Sequence, residues 1–484
     1  MANPLSKKRT PFFEPVIEFF KGFHKRFVDG SVGTKLSHFI CGGGNLYHKQ
    51  YVKGFLFLAL QIVFVLFMVL CPKVNGTPFG YKALANLVLQ GTEGGIQIIN
   101  GRPVTVPPSN SVLMLLFGIV TLGAIGLYIF IWLSNIKSSN LADLAIEEGR
   151  KPSTFKEDCK SLLDDRFHVL MLTPTLLACL IFTIIPTVFM ISMAFTTYNT
   201  IDMKIEGTNL FHWNGIDNFI HMFTGGTTLG AEIKNRFLPV LIWTMVWAVL
   251  ATFTCYFGGI ILAILINKKG VKGKKIFRTV FIMTIALPTF ISLLAIRNLL
   301  NGNGPINAWL MQLGLIDEPI SFLQLNAFDN EPMIARVMVI IINMWVGIPY
   351  TMLMTSGILM NIPTDLYEAA TVDGASKMKM FFKITLPYII FVTTPYLIGS
   401  FIGNINSFNI IFLLTGGGPA IPGSSYSAGQ TDLLVTWLYK LTITDGQYNT
   451  GAVVGILTFA ITSTLTLITY RNSKAYKEED TFQW

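Results

Sequence analysis

Eight stretches of this chain, roughly 54–72, 111–133, 169–195, 238–266, 277–300, 334–360, 387–414 and 451–470, are apolar over the length needed to cross a bilayer. About 20 such residues span the hydrocarbon core as a helix. Inside that core no water satisfies the backbone, so each run must close its own hydrogen bonds helically. The sequence therefore predicts an all-α polytopic membrane protein with eight transmembrane helices. At 52% hydrophobic and 13% charged over 484 residues, the chain is too apolar for an ordinary soluble protein.

The lysines and arginines give the orientation, because cytoplasmic loops carry the excess of positive charge. Counted over alternate loops, 27 of the 36 fall on one side. Both termini and the segment between spans six and seven are on that side, which is predicted to be cytoplasmic. The net charge of +9 is then a matter of topology, and no basic patch is left to indicate nucleic acid. About fifty polar and charged residues precede the first apolar run, so the first span reads as retained and not as a cleaved signal peptide. Pro15 to Phe27 mixes aromatic and basic residues and suits either a helix on the inner membrane surface or a basic tail. Cys41, Cys71, Cys159, Cys179 and Cys255 form no Cys-x-x-Cys pair, so neither a disulfide nor a metal site is expected.

The order of segments predicts a cytoplasmic N-terminal region at 1–53, two additional spans at 54–133 and a cytoplasmic linker at 134–168. A six-helix core follows at 169–470, then a cytoplasmic tail at 471–484. External loops run from Thr197 to Phe237 and from Thr415 to Thr450, the second opening with Gly416-Gly417-Gly418-Pro419 and carrying a short amphipathic helix candidate from Asp432 to Tyr439. The glycine run reads as a turn. A phosphate loop needs a following Lys-Ser or Lys-Thr, and no Gly-x4-Gly-Lys-Ser/Thr occurs anywhere. The chain is thus expected to bind no cofactor, and the energy for any transport must come from a partner or a gradient. Spans four to eight hold no Asp or Glu in their apolar runs, which argues against a proton relay. His-Glu-x-x-His and Gly-x-Ser-x-Gly are also missing, so the chain is not expected to be an enzyme.

Two spans carry a polar stripe. Ser400, Asn404 and Ser407 are spaced i, i+4 and i+7 in span seven, with Tyr396 a turn earlier, and Asn343, Gly347 and Tyr350 have the same spacing in span six. Polar groups in a bilayer turn towards protein or water, so both faces are predicted to point inward. Two readings remain open from spacing alone. The groups hold helices together by hydrogen bonds, or they receive an uncharged, hydroxyl-rich ligand, with Gly347 and Gly403 leaving room for a ring.

Residues 361–387 form a polar segment between two apolar runs. Pro363 permits a helix start, Ala369 and Ala370 favour helix, and Asp373-Gly374 signals a turn that splits the segment into two short helices. Glu368-Ala369-Ala370, Gly374 four residues beyond, and Ile384-Thr385-Leu386-Pro387 match the coupling loop of importer permeases of the ATP-binding-cassette class. With Trp345-Val346-Gly347-Ile348-Pro349-Tyr350 and Thr431-Asp432-Leu433-Leu434-Val435, the chain resembles the larger permease subunits of maltose/maltodextrin importers, over most of spans three to eight.

The resemblance implies a type I importer permease core. It implies that Glu368, Ala369, Ala370, Asp373 and Gly374 dock on an ATPase, and that Val346, Gly347, Tyr350, Ser400, Gly403, Asn404 and Ser407 contact a sugar. It also implies a second, homologous permease, two ATPase subunits holding ATP and Mg, and an external binding protein that delivers the oligosaccharide. Gly403 and Ser407 depart from the family, which can place an aromatic ring and a further Asn on span seven, so a longer or different oligosaccharide is expected to fit. The short 197–237 loop lacks the large external domain of some relatives. This resembles permeases of the plasma membrane of single-membrane (Gram-positive) bacteria, served by a lipid-anchored binding protein.

Overall fold

The computed structural model describes residues 14–472 apart from 90, 92–94, 100–101, 107–108, 201–209, 269, 324–331 and 422–427. Lys7, Lys8, Arg9 and most of the predicted tail lie outside the described residues. Among the described residues seven helices are long and apolar enough to cross a membrane, and a bent pair makes up to eight. By its internal contacts the chain divides into two compact units, Met1–Ser192 with Asp202–Trp213, and Met193–Ile201 with Asn214–Trp484.

The first unit opens with α1 (Glu14–Val28), the segment read as a surface helix or tail. Its spans are α2 (Tyr51–Leu70), α3 (Ser111–Glu147) and, after a short α4 (Phe155–Leu163), α5 (Phe167–Met193). The helical stretch between α1 and α2 is stitched to the end of α3 by buried polar groups. Asn135 accepts from the Gly42 N–H at 2.8 Å and donates to the Ser37 carbonyl at 3.0 Å, and the hydroxyls of Thr34 and Ser139 meet at 2.9 Å. Among the described residues four strands, β1 (Lys73–Val74), β2 (Thr77–Pro78), β3 (Gly95–Ile99) and β4 (Arg102–Val106), form two antiparallel pairs, β1 with β2 and β3 with β4, between α2 and α3. The helical reading did not include them. Asn75-Gly76 joins β1 to β2 with φ of 49° and 79°, the left-handed pair that a two-residue hairpin turn requires.

The second unit holds α6 (Thr228–Asn267), the pair α7 (Lys274–Ala286) and α8 (Thr289–Leu299), and α9 (Pro332–Asn361). It continues with α10 (Thr364–Val372), α11 (Lys377–Ile405), α12 (Phe408–Leu414), α13 (Leu434–Tyr439) and α14 (Tyr448–Asn472). Two single-helix readings are corrected. The fifth span bends by 95° between α7 and α8, where Pro288 lacks the N–H that would continue the first helix. The seventh span ends at Ile405, and α12 restarts beyond Asn406 and Ser407. Prolines also explain a π-helical turn within α11: Phe381–Thr385 precedes Pro387, and the wider turn accommodates the missing donor and the ring.

The pairing of α6 with α9 is the spine of this unit. Ala251, Cys255 and Gly259 recur every four residues on α6, and Asn343, Gly347 and Thr351 do so on α9. An added Cβ on Gly347 would strike Cys255, and one on Gly259 would strike Thr351. Small residues on both faces let the backbones approach closely, which is how helices gain packing energy where lipid removes the hydrophobic driving force. Beside this seam, Trp243, Trp247, Leu293, Val339, Ile342, Ile411 and Leu433 form a buried apolar cluster.

Candidate functional site

The segment at 361–387 folds as two short helices around a turn. Pro363 precedes α10, which runs to Val372, and Asp373 caps it. Gly374 has φ of 71°, and the N–H groups of Gly374 and Ala375 reach back to the carbonyls of Thr371 and Ala370 at 3.0 and 2.9 Å. This left-handed ending satisfies carbonyls that the helix leaves open. Ser376 then accepts from Lys379 N–H at 3.3 Å and starts α11. The Tyr367 hydroxyl lies 2.8 Å from that of Thr385, tying α10 to the first turns of the following span.

Four of the five predicted coupling residues, Glu368, Ala369, Asp373 and Gly374, are exposed, and Ala370 is half-buried. Their apolar neighbours are exposed as well, Val372 at 88% and Met378 at 67%. A protruding helix that shows apolar and acidic side chains has the anatomy of one half of an interface.

The polar stripe divides into two parts. Asn343 is buried in the α6–α9 seam, its amide 3.3 Å from the Cys255 sulfur, and Gly347 packs on the same cysteine. The predicted room at Gly347 is therefore filled by helix packing. Val346 lies against the apolar cluster. Tyr350, by contrast, is 53% exposed and stacks on Tyr396 with ring centroids 5.7 Å apart, while the Tyr396 hydroxyl meets that of Thr351 at 3.3 Å.

On α11, Asn404 donates to the Thr252 hydroxyl at 2.9 Å, and its carbonyl accepts from the Trp247 indole at 3.1 Å. Ser400 is half-buried and makes no side-chain hydrogen bond to another described residue, and Gly403 is exposed, with open space where a Cβ would stand. Ser407 does not continue this face. It is extended at the start of α12, with its N–H on the Asn404 carbonyl at 3.2 Å, because the helix has already ended. Sequence spacing missed Trp247 and Thr252 as partners of Asn404. The i, i+4 pair Trp243 and Trp247 in a span was the available signal.

The loop after α12 is fixed by a buried carboxylate. Asp432 is fully buried, 2.6 Å from the Lys440 ammonium, and accepts from the Thr436 hydroxyl at 2.8 Å and the Gly429 N–H at 2.7 Å. Burial pushes its carboxyl above the usual range, although Lys440 beside it pulls the other way.

Residues 255–475 match the family described as binding-protein-dependent transport system inner membrane component. The maltodextrin transport system permease protein MalC of Streptococcus pneumoniae serotype 4 is 33% identical over 446 residues, covering 91% of this chain and 95% of that protein. The chain belongs to this family of transporter permeases. The galactooligosaccharides transport system permease protein GanP of Bacillus subtilis is also 33% identical, over 91% of this permease and 97% of that one. A chain of a bacterial alginate transporter, solved in complex with an alginate pentasaccharide-bound periplasmic protein, shares the fold at a TM-score of 0.51. It is 23% identical and covers 66% of this permease and 98% of that chain. The permease is thus a multi-pass component of an inner membrane transport system that works with a binding protein and further subunits, and it is not an enzyme.

Proposed function

We propose that this permease carries a neutral, maltodextrin-type oligosaccharide from an external binding protein across the plasma membrane of a single-membrane bacterium. ATP and Mg act on two partner ATPase subunits, and a second, homologous permease completes the pathway. The six-helix core is residues 169–470, with both termini and the 361–387 segment in the cytoplasm. The exposed helix carrying Glu368, Ala369, Ala370, Asp373 and Gly374 docks on an ATPase. The names of the streptococcal relative and of a Bacillus subtilis maltodextrin permease 32% identical over 91% of the chain support this substrate class.

One observation carries the sugar site: the accessible Tyr350 ring, stacked on Tyr396, in a chain whose span seven opens at Gly403. An aromatic face and an unencumbered backbone suit a pyranose ring, and Ser400 and Asn404 supply donors and acceptors. Val346 and Gly347 act there through helix packing, and Ser407 from the break after span seven. The galactooligosaccharide relative makes a different glycan the second reading.

Uptake of labelled maltose, maltodextrins and galactooligosaccharides by the assembled complex tests both. Maltodextrin uptake that falls on the order of tenfold in Tyr350→Ala, with the complex intact, is the expected result. Unchanged uptake in that variant overturns the site, and uptake of galactooligosaccharide alone moves the substrate.

A further inference from the structure

The three spans of the first unit present neighbouring ends on the side that the charge distribution assigns to the cytoplasm, and a cavity of about 1020 Å³ opens among them. Lys53 reaches it from the first turn of α2, Lys137 from the polar stretch of α3 just beyond its apolar run, and Arg166 and His168 from the start of α5. The connection through Lys151 and Ser153, and the side chain of Leu162 on α4, complete the wall.

The wall carries more positive charge than it neutralises. Two of its three carboxylates sit in ion pairs, Asp158 with Lys53 and Glu148 with Arg150, and Glu157, which accepts from the Thr154 N–H at 2.7 Å, keeps its charge, so the five lysines and arginines of the wall outnumber its carboxylates by two. Lys137, Lys151 and Arg166 then face the cavity with no carboxylate partner among the described residues. Leu141, Leu162 and Val169 give the same cavity an aliphatic side.

We propose that this cavity binds the phosphate group of an anionic phospholipid from the adjoining leaflet. The ligand chemistry is a phosphate ester held by an ammonium and a guanidinium, whose planar fork matches phosphate oxygens. Soluble phosphate shares that chemistry. Depth favours the lipid, because the basic groups stand where apolar spans begin and end, at the level of headgroups, and the aliphatic side accepts a glycerol backbone. Basic pockets among span ends on the cytoplasmic side are suited to such headgroups. The inference is independent of which sugar is carried.

The test uses the full chain assembled with its partner subunits, reconstituted in phosphatidylcholine vesicles containing a minor fraction of phosphatidylglycerol. The complex is extracted and its retained lipid quantified by mass spectrometry. Wild type is expected to retain phosphatidylglycerol preferentially, and Lys137→Gln with Arg166→Gln to lower that preference roughly 25-fold, each basic group near an anionic surface contributing about a factor of five. Lys156→Gln with Lys160→Gln, which removes the same charge from α4 outside the cavity, should leave it unchanged. Equal retention in the two double variants overturns the site. Displacement of phosphatidylglycerol by inorganic phosphate overturns the lipid as its source. Should the first pair fail to assemble, Lys137→Gln alone is read: a preference lowered about fivefold in the assembled complex supports the site, and an unchanged preference refutes it.

Discussion

Gly374 and Gly417 stand in polar turns with left-handed backbones, at φ of 71° and 84°, and their surroundings are opposite. Around Gly374 nothing occupies the space a Cβ would take, and the side chains nearby are exposed. A Cβ on Gly417 would land on the Asp432 carboxylate, which the fold has already surrounded with Lys440, Thr436 and Gly429. Among the described residues the 415–447 loop closes on the buried Asp432, whereas the 361–387 segment leaves Glu368, Asp373 and Val372 exposed. On the proposed docking, a substitution in the first is expected to be read out as stability, and one in the second as transport.

The largest effect that can break this contrast is Gly374→Pro. Proline fixes φ near −65° and removes the N–H now bonded to Thr371, so the end of α10 is lost. Sugar-stimulated uptake should be abolished while the protein remains inserted and its unfolding temperature barely moves. Normal uptake would sink the coupling role. Asp432→Ala should do the reverse, costing on the order of 3 kcal/mol by leaving Lys440 and the Gly429 N–H without their buried partner. Thermal unfolding of the purified complex checks it, and an unchanged midpoint would refute the structural role.

Asn404→Ala lies between these cases. Its bond to Thr252 is worth about 1 kcal/mol or less, so a small stability loss with intact uptake marks helix adhesion, and the expected larger loss of maltodextrin uptake marks a ligand contact. The smallest effect concerns α4. Hydrogen bonds from the Thr154 backbone and hydroxyl hold Glu157 below the usual carboxylate range. Its capping contribution is complete above the unfolded value and disappears as pH falls through the lowered folded one. Amide protection of residues 155–158 should drop over that acidic window in wild type and stay flat in Glu157→Gln.

The spans and the two-helix shape of the 361–387 segment were legible because each rests on local chemistry: apolar length, a proline start, two alanines, a glycine stop. What spacing did not reveal was where a helix ends inside an apolar run. Phe401 to Leu414 reads as continuous, yet Asn406 and Ser407 interrupt it, and Ser407 leaves the face it was counted on. Nor did spacing show which partner a polar residue meets. Asn343 and Tyr350 lie two turns apart on one predicted face, and one is locked against Cys255 while the other stays accessible. The strand pairs between the first two spans were readable, since Asn-Gly, a two-residue turn signal, stands in the sequence at 75–76 and again at 100–101, but a count of apolar spans does not look for it.

The seam of small residues along α6 and α9 has a mechanical consequence. Two rods that approach closely at Gly259 and Gly347, with Cys255 and Thr351 as their neighbours, are expected to tilt together as one lever. The 30 residues of α9 make an arm of about 45 Å. Tilting such an arm by roughly ten degrees about one end sweeps the other through about 8 Å. α10 begins three residues beyond the tip of that arm, so under the proposed docking a force taken up by the exposed helix would be delivered at the lever's end.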